Sequence, residues 1–202
     1  MQSIDSKILS RIYGRGKGCV FTPKHFLDLG SRQAVDLALH RLVHKGTVRR
    51  LARGLYDYPR IDPNLGPVFP TVDAVVKALK GRDRIRLQPS GGYAANLLGL
   101  SEQVPMKVVF LTDGPGRQVQ LGKQVIKFKH TTPGSMVTSG RVSGLVIQAL
   151  RHVGRRHVDE STLKRLIKRL SDSDRKQLLQ DLRFAPAWIA SDIRRVARQE
   201  DV

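Results

Sequence analysis

The sequence has few of the features that enzymes, metalloproteins and membrane proteins are built on. Cys19 is its only cysteine, which excludes an intrachain disulfide and fits a reducing compartment. No apolar run approaches the roughly 18 residues of a membrane span. Residues 1–12 lack the apolar core of a signal peptide, so a soluble cytoplasmic protein is expected. Among the histidines only His40 and His44 share a His-x-x-x-His spacing, with no acidic or cysteine companion, and no metal site is expected. Neither a Gly-x-Ser-x-Gly nor a His-Glu-x-x-His element occurs. Carboxylates are scarce and sit mostly at expected helix starts, where they cap or complement the dipole. No acid, base and nucleophile can be assembled from this inventory. The expectation is a protein without enzymatic activity or cofactor; a nucleic-acid-processing activity in the C-terminal part is the enzymatic alternative.

Positive charge is abundant. The chain carries 36 Lys/Arg against 17 Asp/Glu, a net charge of +19. Residues 1–66 hold 12 against 5, and residues 67–202 hold 24 against 12, so the excess is not a terminal tail. Such a surface attracts polyanions. Nucleic acid is the expected partner; an anionic membrane surface ranks second, and no membrane anchor is expected.

The pattern along the chain predicts an α+β protein. Ser3 caps a helix that carries Ile4, Ile8 and Ile12 at helical spacing, and "GRGKG" (residues 14–18) ends it. "CVFT" is a short strand. "PKHFLDLG" opens on Pro23 and closes on Gly30, predicting a second helix. Ser31 caps a third that stops at Gly46. Residues 47–51 and 55–58 read as strands joined by a turn at Gly54. "PRIDPNLGPVFP" (residues 59–70) holds four prolines, and the interdomain linker is placed at 63–70. Beyond it, 71–80 reads as helix, 84–100 as strand, turn and helix, and "MKVVFLT" as a buried strand. "RQVQL" and "QVIKFKH" form a hairpin around Gly122, and helices follow over 145–153, 161–170, 171–182 and 186–198. The expected domains are 1–62, an N-terminal winged helix-turn-helix, and 71–202, a mixed α/β domain with a C-terminal helical bundle.

In the first domain the order helix, strand, helix, helix, hairpin is that of a winged helix-turn-helix. On a wheel of ~100° per residue, helix 31–45 gathers Val35, Ala38, Leu39 and Leu42 on a core face. The opposite face shows Gln33, Asp36, Leu37, His40 and His44, flanked by Arg32 and Arg41. A recognition helix offers its N-terminal residues to base edges in the major groove. Here these are Ser31, Arg32, Gln33 and Asp36, types suited to guanine, adenine and cytosine edges. Leu37 is unusual on a solvated face; it can touch a thymine methyl or pack on another domain. In the wing, 47–58, Arg49, Arg50 and Arg53 are placed near phosphates or a minor groove. Tyr56 and Tyr58 are expected to pack the wing on the body. The competing reading is a solvated basic surface or a protein-interaction module.

These residues resemble a known family. "GSRQAVDLALHRLVHKGTVRRLARGLYDYP" (residues 30–59) is similar to the winged helix of AbiEi-like antitoxins, from the AbiE abortive-infection (type IV) toxin–antitoxin systems. The resemblance rests on Ala38, Leu39, Arg41, Leu42, Gly46, Arg50, Gly54, Tyr56 and Pro59. "PSGGYAANLLGLSEQVP" (89–105) followed by "MKVVFLTDG" is similar to the domain that follows it. The resemblance implies a bacterial antitoxin encoded beside a nucleotidyltransferase-like toxin. It implies repression of their shared operon at inverted repeats of double-stranded operator DNA, and neutralisation that depends on the C-terminal domain, with or without a stable complex. The alternative is an antitoxin that binds an acidic toxin directly and does not use its winged helix for specific DNA binding.

Other stretches carry less. "GRGKG" lacks phosphate-loop spacing and reads as a turn, although Arg15 and Lys17 can reach a DNA backbone. "SGG" (90–92) is a tight turn or an anion cradle. Arg151, His152, Arg155, Arg156 and His157, with Lys164, Arg165, Lys168 and Arg169, form a dense basic cluster. It is a solvated face or a second nucleic-acid or partner contact. Trp188 is expected to anchor the last helix.

Overall fold

A computed structural model describes residues 3–83 and 85–199. Expectations that touch residues 1, 2, 84 and 200–202, including the start of the 84–100 segment, lie outside the described residues. The chain divides into two compact units, Met1–Ile85 with Gln118–Lys123, and Arg86–Arg117 with Gln124–Val202.

In the first unit Ser3 starts helix α1 (Ile4–Arg15), its hydroxyl accepting from the Ser6 N–H at 3.2 Å. Ile8 and Ile12 are fully buried. Strand β1 (Val20–Phe21) follows. The helix expected over 23–30 is only a 3-10 turn at Pro23–Phe26. One local side-chain bond and three from the distant Arg11 hold the segment. The Thr22 N–H donates to His25 Nδ1 at 3.1 Å, while Arg11 donates to the His25 carbonyl at 3.0 Å and grips both Asp28 oxygens at 2.7 Å. Helix α2 (Arg32–His44) begins at Ser31, whose hydroxyl accepts from the Ala34 N–H at 3.3 Å. It buries Val35, Ala38, Leu39 and Leu42, the four residues expected from periodicity. Gly46, at φ +69°, turns the chain out of the helix.

Strands β2 (Arg49–Ala52) and β3 (Leu55–Asp57) complete an antiparallel sheet of order β1-β3-β2. Its inner face and the two helices enclose Phe21, Phe26, Val48 and Tyr56. The central strand ends on Asp57, which is 0% exposed. Arg49, opposite it in register, donates Nε and Nη2 to its two oxygens at 3.0 and 2.6 Å. The same guanidinium donates to the Val68 carbonyl at 2.9 Å and lies 4.3 Å from the Phe69 ring centre. A buried carboxylate is tolerated only with such pairing.

The stretch read as a linker is folded. Strands β4 (Arg60–Asp62) and β5 (Gly66–Val68) pair as a separate antiparallel hairpin. The Asp62 carboxylate accepts from the Asn64 and Leu65 N–H groups at 2.9 and 3.1 Å, which closes the turn. Pro67 stands opposite Ile61, and a two-stranded ribbon tolerates its missing donor. Helix α3 (Val72–Asp83) buries Val75, Ala78 and Leu79 and also belongs to this unit, so the division falls after Ile85 rather than at 63–70.

The second unit contains strand β6 (Leu87–Ser90), helix α4 (Gly92–Leu97) and strand β7 (Lys107–Thr112). Strand β8 (Arg117–Leu121) falls almost wholly in the first unit, Gly122 turns the chain as expected, and strand β9 (Gln124–His130) belongs to the second, whose strands run in the order β6-β7-β9. The β7–β9 pair is parallel, with Phe110 opposite Phe128 and their rings stacked at 5.6 Å. Four helices follow: α5 (Val142–Val153), α6 (Glu160–Arg169), α7 (Asp172–Gln180) and α8 (Ala187–Arg198). The architecture is therefore α+β with a helical C-terminal part. Helix α5 is central, buried on most sides against α4, β6, α7 and α8. Trp188 packs against this core at the start of α8. Asp181, buried after α7, accepts from Arg141 Nη1 at 2.8 Å, from Gln177 Nε2 at 3.1 Å and from the Ser143 hydroxyl.

Two stability measurements check this account. Arg49→Ala strands a buried carboxylate and is expected to cost about 3–5 kcal/mol, whereas exposed Arg50→Ala should stay within ~0.5 kcal/mol. Equal denaturant midpoints for the two variants would contradict the clamp. A Cβ at Gly144 would collide with the Thr138 carbonyl and Gln88 Oε1. Gly144→Ala is therefore expected to lower stability by about 1–3 kcal/mol; an unchanged melting temperature would show that the segment through Thr138 does not press on α5.

Candidate nucleic-acid interface

The outward face of α2 carries the residues that sequence reasoning selected, in differing states. Ser31 is the N-cap. Arg32 donates to Asp36 at 2.8 Å along the helix, an i,i+4 pair between exposed side chains. Gln33 is exposed and makes no side-chain hydrogen bond among the described residues. Leu37 is 59% exposed in the middle of this face. His40 and His44 meet ring to ring at 4.5 Å one turn further on. Arg41 reaches back to α1 and grips Asp5 through Nε and Nη2 at 2.8 and 2.5 Å. That bond holds the Asp5 carboxyl below its ordinary range.

The hairpin divides its arginines by strand alternation. Arg49 points inward to Asp57, so its charge is compensated within the unit. Arg50 is exposed on the other side of β2, and Arg53 is exposed in the turn beside Gly54, at φ +69°. Neither forms a salt bridge among the described residues. The tyrosines serve as packing: Tyr56 stacks on Phe21 at 6.2 Å and Tyr58 meets Tyr13 at 5.3 Å. Arg15 at the end of α1 and Lys17 between α1 and β1 are exposed. Cys19 is half-buried with Sγ 3.9 Å from the Ile12 carbonyl, and burial pushes its thiol pKa up.

The structure thus brings Gln33, Leu37 and the Arg32–Asp36 pair onto one uncovered helical face, with Arg50 and Arg53 exposed on the hairpin of the same unit. The Arg32–Asp36 pairing is legible from spacing. The partners of Arg41 and Arg49 are not, because Asp5 lies 36 residues away in sequence and Asp57 lies across a strand pair.

In the second unit Arg151, Arg155 and Arg156 are exposed at the end of α5 and in the 3-10 turn after it, and Lys164 and Lys168 are exposed on α6. Arg165 and Arg169 are exposed beside them, and none of the seven forms a salt bridge among the described residues. Glu160 on the same helix pairs instead with Arg195 at 2.6 Å. The Asp159 carboxylate starts α6 by accepting from Thr162 Oγ1 at 2.7 Å, the Thr162 N–H at 2.8 Å and Ser161 Oγ at 2.9 Å. Those bonds hold its pKa at about 2 against an ordinary 3.8. "SGG" is a turn: Gly91 takes φ +62°, and the Ser90 hydroxyl donates to Gln148 at 3.0 Å.

The fold is a mixed α+β architecture seen elsewhere. A crystal structure of the RV2827C protein from Mycobacterium tuberculosis is similar at a TM-score of 0.50, with 14% identity over 96% of this chain and 76% of that one. At that identity the likeness concerns the fold alone. The chain belongs to DUF6088, a family of unknown function, which matches it over residues 7–178. No curated protein matches it. No helix among the described residues is long and apolar enough to cross a membrane.

The Asp159 cap sets a pH dependence. Its folded pKa lies below its unfolded one, so the cap's contribution is present above about pH 4 and is lost as pH falls through about 2. Asp159→Ala should abolish that acid-dependent part of the loss of α6 amide protection between pH 4 and pH 2. An unchanged acid profile in hydrogen exchange would place the transition elsewhere.

Proposed function

We propose that the first unit is a winged helix-turn-helix that binds double-stranded DNA, and that the protein is an autorepressing antitoxin of an AbiE-like operon. The observation that carries the reading is the uncovered outer face of α2. The helix buries one face in the core and leaves Gln33, Leu37 and the Arg32–Asp36 pair in water beside a basic hairpin. The element order and the β1-β3-β2 sheet support it, since they are what a winged helix requires.

In this reading α2 enters the major groove. Gln33 donates to and accepts from an adenine edge, and Leu37 meets a thymine methyl. Arg32 exchanges Asp36 for a guanine edge, which leaves Asp36 to accept from cytosine. Arg50 and Arg53 hold phosphates, and Arg15 and Lys17 extend that contact. Arg41 and Arg49 keep their carboxylates and act by holding α2 and the hairpin in place. Neutralisation of a nucleotidyltransferase-like toxin falls to the second unit. Direct capture of an acidic toxin is the second reading, favoured by the cations on α5 and α6 that form no salt bridge among the described residues.

Fluorescence anisotropy against the protein's own upstream duplex and a scrambled duplex tests the proposal. The upstream duplex is expected to bind at least ~1000-fold tighter, and Gln33→Ala should narrow that ratio. Arg53→Ala should weaken both duplexes alike and make the slope of log K against log salt shallower by about 0.9. Equal binding of the two duplexes, unaffected by Gln33→Ala, would sink the sequence-reading role and turn attention to the toxin.

A further inference from the structure

The second unit contains a cavity of about 210 Å³ in which DNA reading by α2 has no part. Its wall includes Thr132, Ser135 and Thr138 from the segment before α5, Gln148 and Arg151 from α5 itself, and Phe184. We infer that this cavity binds a phosphate monoester carried on a nucleotide.

Two of its polar groups are built in rather than lying on the surface. Thr138 is 7% exposed and Gln148 8%. The Gln148 carboxamide is oriented from behind, because its Oε1 accepts from the Ser90 hydroxyl at 3.0 Å, and Ser90 does not line the cavity. That leaves Nε2 without an acceptor among the described residues, and available to an occupant of the cavity that Gln148 lines. The Thr138 hydroxyl likewise makes no hydrogen bond among the described residues, although its backbone is fixed by the Arg141 N–H, 3.1 Å from its carbonyl. Gly144, one turn before Gln148, lets the Thr138 backbone lie directly on α5.

Arg151 stands three residues beyond Gln148, on the same side of α5. It is exposed and forms no salt bridge among the described residues. At the rim, the hydroxyls of Thr132 and Ser135 lie 3.1 Å apart and can turn either way. No carboxylate lines the cavity. A guanidinium, an amide donor and three hydroxyls with no opposing acid select an anion. Exposed Arg155 and Arg156 follow α5 in the chain, and a surface this basic favours a multiply charged anion. A phosphate monoester, near −1.5 to −2 at neutral pH, fits better than a carboxylate. The volume is roughly seven times the ~30 Å³ share of one water and below the ~300 Å³ of drug-sized pockets. It admits a phosphate and part of its sugar, with Phe184 as the apolar wall. A free nucleotide and the 5′-phosphate end of a strand present the same chemistry.

The test titrates the full-length protein, in buffer free of phosphate and sulfate, with AMP, with adenosine, and with one short single strand bearing or lacking a 5′-phosphate. A phosphate-dependent gain of at least ~10-fold is expected in at least one pair. Arg151→Gln, at an exposed position, and Thr138→Val, nearly isosteric, should each erase most of that gain. A gain confined to AMP over adenosine assigns the site to free nucleotides, and a gain for the phosphorylated strand assigns it to strand ends. The inference is overturned if phosphate makes no difference in either pair, or if the gain survives in both variants. Duplex recognition enters neither comparison, so this outcome is independent of the operator titration.

Discussion

An aspartate kept from water organises each unit. Asp57 ends the central strand of the first sheet, flanked by Val20 on one side and Arg49 on the other. Its charge has no solvent, so the chain must bring a cation to it, and Arg49 does so with a two-pronged bond. The same guanidinium ties down Val68 and Phe69, which anchors the β4–β5 hairpin to the first sheet. Asp181 has the corresponding place in the second unit, where Arg141, Ser143 and Gln177 fasten the start of α5 to the end of α7. Pairs of this kind add little net stability over an apolar substitute. What they contribute is geometry: each leaves one arrangement of its neighbours that does not strand a charge.

That constraint also separates the legible parts of the structure from the rest. Local rules recover α1 and α2 with their caps, the buried face of Val35, Ala38, Leu39 and Leu42, the hairpin at Gly54 and the turn at Gly122. Each depends on residues a few positions apart. Three expectations fail where a distant residue decides. Pro23 and Gly30 mark a helix by composition, but Arg11 and His25 hold only a 3-10 turn there. Four prolines mark a linker, but Arg49, 19 residues before Val68, fastens it as a hairpin. Arg49 resembles a phosphate ligand in sequence, and nothing nearby announces that Asp57 is buried. The candidate interface was legible as a face of α2 because a helix face is a local property. The cavity beside α5 was not, because its residues come from three separated segments with no shared motif.

The excess of positive charge is handled differently in the two units. In the first, Arg11, Arg32, Arg41 and Arg49 each have a carboxylate, while Arg50 and Arg53 stand exposed on the hairpin without a salt bridge among the described residues. In the second, the arginines and lysines from Arg151 to Arg169 crowd two helix surfaces without salt bridges among the described residues, while the nearby Glu160 is taken by Arg195. Net charge alone would treat these surfaces as equivalent. Pairing distinguishes the cations that hold the fold together from those left to meet a polyanion.

The parallel pairing of β7 with β9 has a consequence for errors during assembly. Along β9, Ile126 and Phe128 are buried while Lys127 and Lys129 are exposed. A slip of one residue against β7 would reverse that pattern, sending two ammonium groups inward and two large apolar side chains out. The adjacent Phe110–Phe128 stack would be lost in the same step. The lysines therefore act as proofreading residues: they contribute nothing to the correct sheet, yet they make its nearest mistake too costly to persist.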